Sequence, residues 1–281
     1  AMYRAKDLGR NHIQVCSQAT SHEAIERMTL ENDLRQAIDR GELELHYQPQ
    51  VDAINSNVHA LEALIRWNHP TRGLIMPTDF IHLTERSHLM VEIGHWVLRE
   101  ACEALSRWQD VDPPIRIAVN VSPRQFQDEH FLDHVKDSLS EYDLDPSQLE
   151  LEITEGVAMQ NPEAALQLLG QLKAMGVRIS IDDFGTGYSS LSYLTKFPID
   201  CLKIDQGFVQ DIEKGGSEST IIAAVIALAH KLKLHVIAEG VETSTQLDFL
   251  VGQQCETLQG YFYSRPQPVE AIDALIRKKN I

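Results

Sequence analysis

The stretch ISIDDFGTGYSSL at 179–191 ends an alternating apolar run in two adjacent carboxylates, Asp182 and Asp183. A loop with Gly185 and Gly187 follows. Seven other short β-type runs also close on a polar residue: Gln48, Glu62, Asn120, Glu152, Lys203, Glu239 and Gln259. This set holds five carboxylates with amides and one lysine, and no histidine or cysteine. Gathered at one place, the acids would repel by several kcal/mol unless cations compensate them. Oxygen donors, the Asn120 carbonyl among them, suit hard, octahedral Mg²⁺ or Mn²⁺, whereas zinc would prefer His or Cys. Ca²⁺ fits the donors too and is expected to inhibit.

Adjacent Asp182 and Asp183 suggest two ions ~3.5–4 Å apart that share one aspartate, a device for in-line attack of water on a phosphate ester. Glu62, Asn120, Glu152 and Asp182 then hold the first ion. Asp182, Asp183 and Glu239 hold the second. Lys203 orients or helps deprotonate the water, or stabilises the pentacoordinate phosphorus. Arg66, four residues past Glu62, can clamp a phosphate oxygen with its fork. Glu155 either hydrogen-bonds the glycine loop or pairs with a nearby base, and spacing does not choose between these. His69, in WNHP, reads as a loop residue near the same rim.

Residues so far apart need a scaffold that brings strand ends together. Candidate strands run over 44–49, 58–67, 115–121, 149–154, 177–182, 201–205, 235–240 and 256–261. Helical patterns fall at 22–40, 79–86, 91–109, 128–141, 161–175, 189–197, 217–232, 242–252 and 268–278. Eight strands alternating with helices predict an α/β (β/α)8 TIM-like barrel, with an open doubly wound sheet as the alternative. In such a barrel chemistry gathers at the C-terminal strand ends. The link between the first two strands is too short for a helical crossover, so that pair is expected to be antiparallel. The apolar run IIAAVIALA (221–229) reads as one buried face of an outer helix.

The chain has 281 residues, 43% of them hydrophobic, enough for a sizeable core without disulfides. Its formal charge of −16 argues against duplex DNA as a partner but leaves a small phosphorylated ligand open, because a bound cation reverses the local sign. No apolar run approaches the ~20 residues of a membrane span, so no membrane contact is expected of this stretch. The four cysteines are isolated and read as reduced thiols in a cytosolic setting. A glycosidase needs only two carboxylates, fewer than converge here.

At these residues the chain resembles a known family. Glu62-Ala63-Leu64 followed by Ile65-Arg66-Trp67 resembles the signature of EAL-domain phosphodiesterases, which hydrolyse cyclic di-GMP. YQP (47–49), NVS (120–122), LEITE (151–155), DDFGTGYSSL (182–191), LKID (202–205), AEGVE (238–242) and QGYFYSRP (259–266) continue the match. The resemblance implies the barrel, two Mg²⁺ or Mn²⁺ ions and hydrolysis to linear 5′-pGpG. It implies metal ligation by Glu62, Asn120, Glu152, Asp182 and Asp183, with Glu239 near the second metal. It implies catalysis with Lys203 and Glu239, Glu155 as loop anchor, and substrate contact by Gln48, Leu64, Arg66, Asp205 and Gln259. Degenerate members that lose ligands act as receptors, and a non-hydrolysing cyclic di-GMP receptor is the alternative function. Ile153 and Tyr263 depart from commoner residues without touching this chemistry. Members often dimerise near the loop after Asp183.

The opening AMYRAKDLGRN resembles the last helix of a GGDEF domain. The expected division is therefore a GGDEF tail over 1–20, a linker and first helix over 21–41, and the EAL domain over 29–275. The chain is then a piece of a larger cytoplasmic signalling protein, whose upstream segments can anchor it to the inner membrane.

Overall fold

Short apolar strands alternating with amphipathic helices close into a barrel in the computed structural model, which describes residues 18–84, 87–185, 191–214 and 217–278. The expected tail lies, up to residue 17, outside the described residues. The barrel strands are β1 (Leu43–Asp52), β2 (Val58–His69), β4 (Arg116–Asn120), β5 (Leu149–Thr154), β6 (Arg178–Phe184), β7 (Cys201–Ile204), β8 (His235–Ala238) and β9 (Thr257–Gln259). Two short strands, β3 (Gly73–Ile75) and β10 (Gln267–Pro268), add to the outer lengths of β2 and β1. Periodicity did not anticipate either, because two or three residues carry no period.

From β2 through β9 the barrel neighbours are parallel. β1 closes the ring between β9 and β2, antiparallel to both, as the short first link requires. Asp52 shapes that link, its carboxylate accepting the N–H groups of Ile54 and Asn55. Along β5, Leu149, Leu151 and Ile153 take one face and Glu150 and Glu152 the other, all buried. The helices cover the outer face. Leu89–Ser106, for example, buries Ile93, Val97, Ala101 and Leu105 at helical spacing.

Three sequence expectations change. Gln48 and Glu62 do not end their strands but sit opposite each other within β1 and β2. β2 runs on past the rim as a hairpin arm, so the functional level is set by its neighbour β4, which stops at Asn120. His69 is the buried last residue of β2, not a loop residue, and its Nε2 lies 3.3 Å from Asp33 of the first described helix.

The mouth opposite the acid-rich rim carries its own polar layer. Arg116 donates to His59 Nδ1 at 2.9 Å, and the Thr257 hydroxyl bridges His59 and His235 at 2.9 and 2.7 Å. Arg178 donates to the buried Glu150 carboxylate.

Candidate active site

Strand alternation should send Asp182 and Asp183 to opposite faces of β6. A bulge prevents this. Ile181 pairs with Leu202 and Phe184 with Ile204, so two residues of β6 oppose the single Lys203 of β7. Asp183 has φ of 54°, a left-handed conformation uncommon outside glycine, and its N–H donates to Asp182 Oδ1 at 2.8 Å. The unusual backbone turns both acids toward one rim.

Lys203 is the hub. It is fully buried, and its ammonium lies 2.6 Å from both Glu152 Oε2 and Glu239 Oε1. Asp182 and Glu62 stand at 3.6 and 3.8 Å. β2, β5, β6, β7 and the residue after β8 thus each supply one charged group. Amides fix Glu62 from two sides: Asn120 Nδ2 donates to its Oε1 at 2.6 Å, and Gln259 Nε2 donates to its Oε2. Gln259 also donates to Gln48 at 3.1 Å and accepts from Gln50 at 3.0 Å. Gly260 keeps Gln259 in place, because a Cβ there would meet the Val241 backbone nitrogen at 2.3 Å while Val241 donates to the Gln259 carbonyl.

One ammonium does not balance four carboxylates. Burial disfavours the charged lysine, but Asp182, Glu152, Glu239 and Glu62 outweigh it and hold Lys203 well above the ordinary lysine range. Burial pushes Glu239 up to about 8, against the pull of Lys203. Burial also raises Glu152 well above the carboxylate range, with Glu62 and Asp182 adding to the effect. Glu62 goes the other way: burial would raise it, but Lys203, Gln259 and Asn120 bring it down. Asp183 is raised by burial and by Asp182. Near neutral pH the cluster therefore holds protons that a divalent cation could replace.

The donor chemistry fits such a cation. Glu152 Oε1 is buried and has no hydrogen-bond partner. The carboxylates of Glu62, Asp182 and Glu239 surround the same lysine, and Asn120 is bonded to Glu62. Among the described residues no three acidic, histidine or cysteine side chains close tightly on one metal-sized point. Here the carboxylates close on Lys203 instead.

A cleft of about 340 Å³ adjoins the cluster, lined by Gln48, Glu62, Leu64, Arg66, Glu239 and Gln259 among others. Glu62, Leu64 and Arg66 share one face of β2 by alternation. Glu155, buried at the start of the helix Glu155–Gln160, accepts the Gly185 N–H through Oε2 at 3.2 Å. The rest of that loop, 186–190, lies outside the described residues. Asp205 caps the helix Gln206–Gln210 through the Gly207 N–H, and its charge acts on Asp183. Sequence reading missed Gln50, fully buried under the site. Its two-residue spacing from Gln48 on an inward strand face is the signal that could have found it.

The sequence profile of the EAL domain matches residues 31–266. Over 277 residues the chain is 46% identical to the bifunctional diguanylate cyclase/cyclic di-GMP phosphodiesterase MucR of Pseudomonas aeruginosa, covering 98% of this chain and 40% of MucR. It is 43% identical to the cyclic di-GMP phosphodiesterase NbdA of the same organism, covering 99% of this chain and 36% of NbdA. The chain thus spans about two-fifths of the length of these relatives. A solved complex of the PaMucR phosphodiesterase with c-di-GMP superposes with a TM-score of 0.85 at 47% identity, covering 87% of this chain and 99% of that one.

Proposed function

The chain belongs to the EAL domain family, and on that premise we propose that its barrel is a metal-dependent phosphodiesterase that hydrolyses cyclic di-GMP to linear 5′-pGpG. One observation carries the reading: a buried lysine lies within 2.6 Å of two carboxylates, amid two more, and two of these acids, Glu62 and Glu239, line a cleft together with Arg66.

Glu62, Asn120, Glu152 and Asp182 would hold one cation, and Asp182, Asp183 and Glu239 a second, with Mg²⁺ or Mn²⁺ as the productive ions and Ca²⁺ inhibitory. Such ions supply charge neutralisation at the phosphate and a more acidic water. The residues of the chain do the rest. Lys203, its ammonium set among four carboxylates, serves as a charge and N–H donor toward the reacting phosphate. Arg66 is buried, with Nη1 donating to the Ile65 carbonyl, and it lines the cleft, where its remaining N–H groups would meet a non-bridging phosphate oxygen. Leu64, Gln48 and Gln259 line the space for the rest of the dinucleotide. Glu155 holds the start of the 185–190 loop through Gly185, and Asp205 steadies the segment beside Asp183.

Further parts of the reading rest on the family resemblance. These are a homodimer formed through the barrel, a cytoplasmic location, and a GGDEF tail over 1–20. The bifunctional name of MucR supports the last. Among the described residues no helix is long and apolar enough to cross a membrane.

The test is purified protein with cyclic di-GMP and Mg²⁺, Mn²⁺ or Ca²⁺. Linear product with the first two ions supports the proposal. Stoichiometric binding without product would make the chain a receptor instead.

A further inference from the structure

We infer that Gln50 is a positioning residue that sets the metal-binding orientation of Glu62 through Gln259. This rests on the proposed role of Glu62 as a metal ligand. Because β1 is reversed, Gln50 lies directly opposite Gln259 on β9, and both side chains are buried. The Gln50 amide N–H donates to Gln259 Oε1 at 3.0 Å. That bond occupies the Gln259 carbonyl and leaves its NH₂ group to point elsewhere. One hydrogen goes to Gln48 Oε1 and the other to Glu62 Oε2.

A flipped Gln259 would set its carbonyl against the Glu62 carboxylate, which only accepts, and would lose the bond from Gln50 as it stands. Gln50 Oε1 has no other partner, so Gln50 and Glu62 hold the Gln259 amide between them from opposite ends. Glu62 then receives one amide N–H on each oxygen, from Asn120 and from Gln259, and its carboxylate plane is fixed before any cation arrives. Partners behind a ligand of this kind typically change metal affinity 10–100-fold when removed. Among the described residues the one side-chain hydrogen bond of Gln50 is that to Gln259, and Gln50 does not line the cleft, so its effect passes through Gln259.

The experiment is calorimetric titration with Mn²⁺ alone, without substrate, on the full chain. Four variants accompany it: Glu62→Ala, Gln50→Met, Gln259→Met and the Gln50→Met/Gln259→Met double variant. Glu62→Ala tests the underlying reading, and unchanged binding there removes Glu62 from the site. Given that loss, Gln50→Met should weaken Mn²⁺ binding about tenfold while adding nothing in the Gln259→Met background. Turnover of Gln50→Met should be low at limiting Mn²⁺ and recover as Mn²⁺ is raised. Unchanged Mn²⁺ affinity in Gln50→Met, or an equal tenfold drop with Gln259 already removed, overturns the inference. Should methionine at position 50 prevent folding, Gln50→Glu keeps the length but replaces the donor with an acceptor. The same titration then decides, with a tenfold or larger loss expected and an unchanged affinity overturning the role.

Discussion

Asp182 Oδ1 lies 3.6 Å from the Lys203 ammonium across a bulge at which Asp182 and Asp183 together oppose that one lysine. This relationship lets two consecutive residues serve one site, and it sets a backbone strain, at Asp183, beside the chemistry.

Relieving that strain should separate stability from function. Asp183→Gly removes both the left-handed penalty and a carboxyl whose pKa burial and then Asp182 raise, so the fold should stay as stable or gain up to about 1 kcal/mol. Asp183→Val should cost about 1–2 kcal/mol. Both should lose most Mn²⁺-dependent turnover. Urea unfolding and a product assay check the two halves, and an active Asp183→Gly would remove this residue from the metal set.

Lys203→Met should lower kcat at least 100-fold. It should also leave the carboxylates without their cation, costing about 3–5 kcal/mol at pH 8 in metal-free protein. At pH 6 the cost should shrink, because Glu152 and Glu239 can stay neutral by keeping protons. Thermal unfolding at the two pH values, with and without Mn²⁺, reads this directly. A pH-independent loss would mean that charge is not the cause.

Glu239 sits near pH 8, above the ordinary carboxylate value of 4.5, so at pH 7 the metal-free site holds its proton. A proton bound more tightly by the folded form means that metal-free stability from this group is present below pH 4.5. It is lost as pH rises through about 8. Cation binding works in the opposite sense, since the ion must expel the proton. Mn²⁺ affinity should climb from pH 6 to 8, by at most about tenfold per unit for each proton released. Calorimetry in buffers of different ionisation heat counts the protons. Glu239→Gln should flatten the climb, and a climb as steep as before would place the proton elsewhere.

At the other mouth, burial and then Arg116 lower His59 to about 4. The unfolded chain takes up a proton near pH 6.5 that the folded one refuses until about 4. Stability is therefore full above 6.5 and falls through that window, with a slope of up to about 1.4 kcal/mol per unit. His59→Asn should remove this part of the acid sensitivity, leaving that of His235, which is shifted in the same direction. Unfolding midpoints from pH 4 to 7 give the two slopes. Identical slopes would mean that His59 is charged in the folded protein.

Much of the molecule was legible before any fold was in hand. All eight barrel strands could be read from their apolar runs, because a strand's period and length are written locally. The reversed β1 followed from a link too short to cross over. The chemistry proposed for the rim was argued from residue type, since acids in such number with no histidine among them suit hard cations.

Tertiary structure alone decided how these groups meet. Glu62 reaches the acid cluster from mid-strand because its neighbour stops first, a matter of register between segments. The bulge that aims Asp182 and Asp183 exists only against β7. Gln48 and Gln259 are 211 residues apart, and their bond, like that from Gln50, is made by closing the ring. Period and propensity act within about ten neighbouring residues. Register, bulges and cross-strand amide pairs are settled only when distant strands pack and every buried donor must find an acceptor.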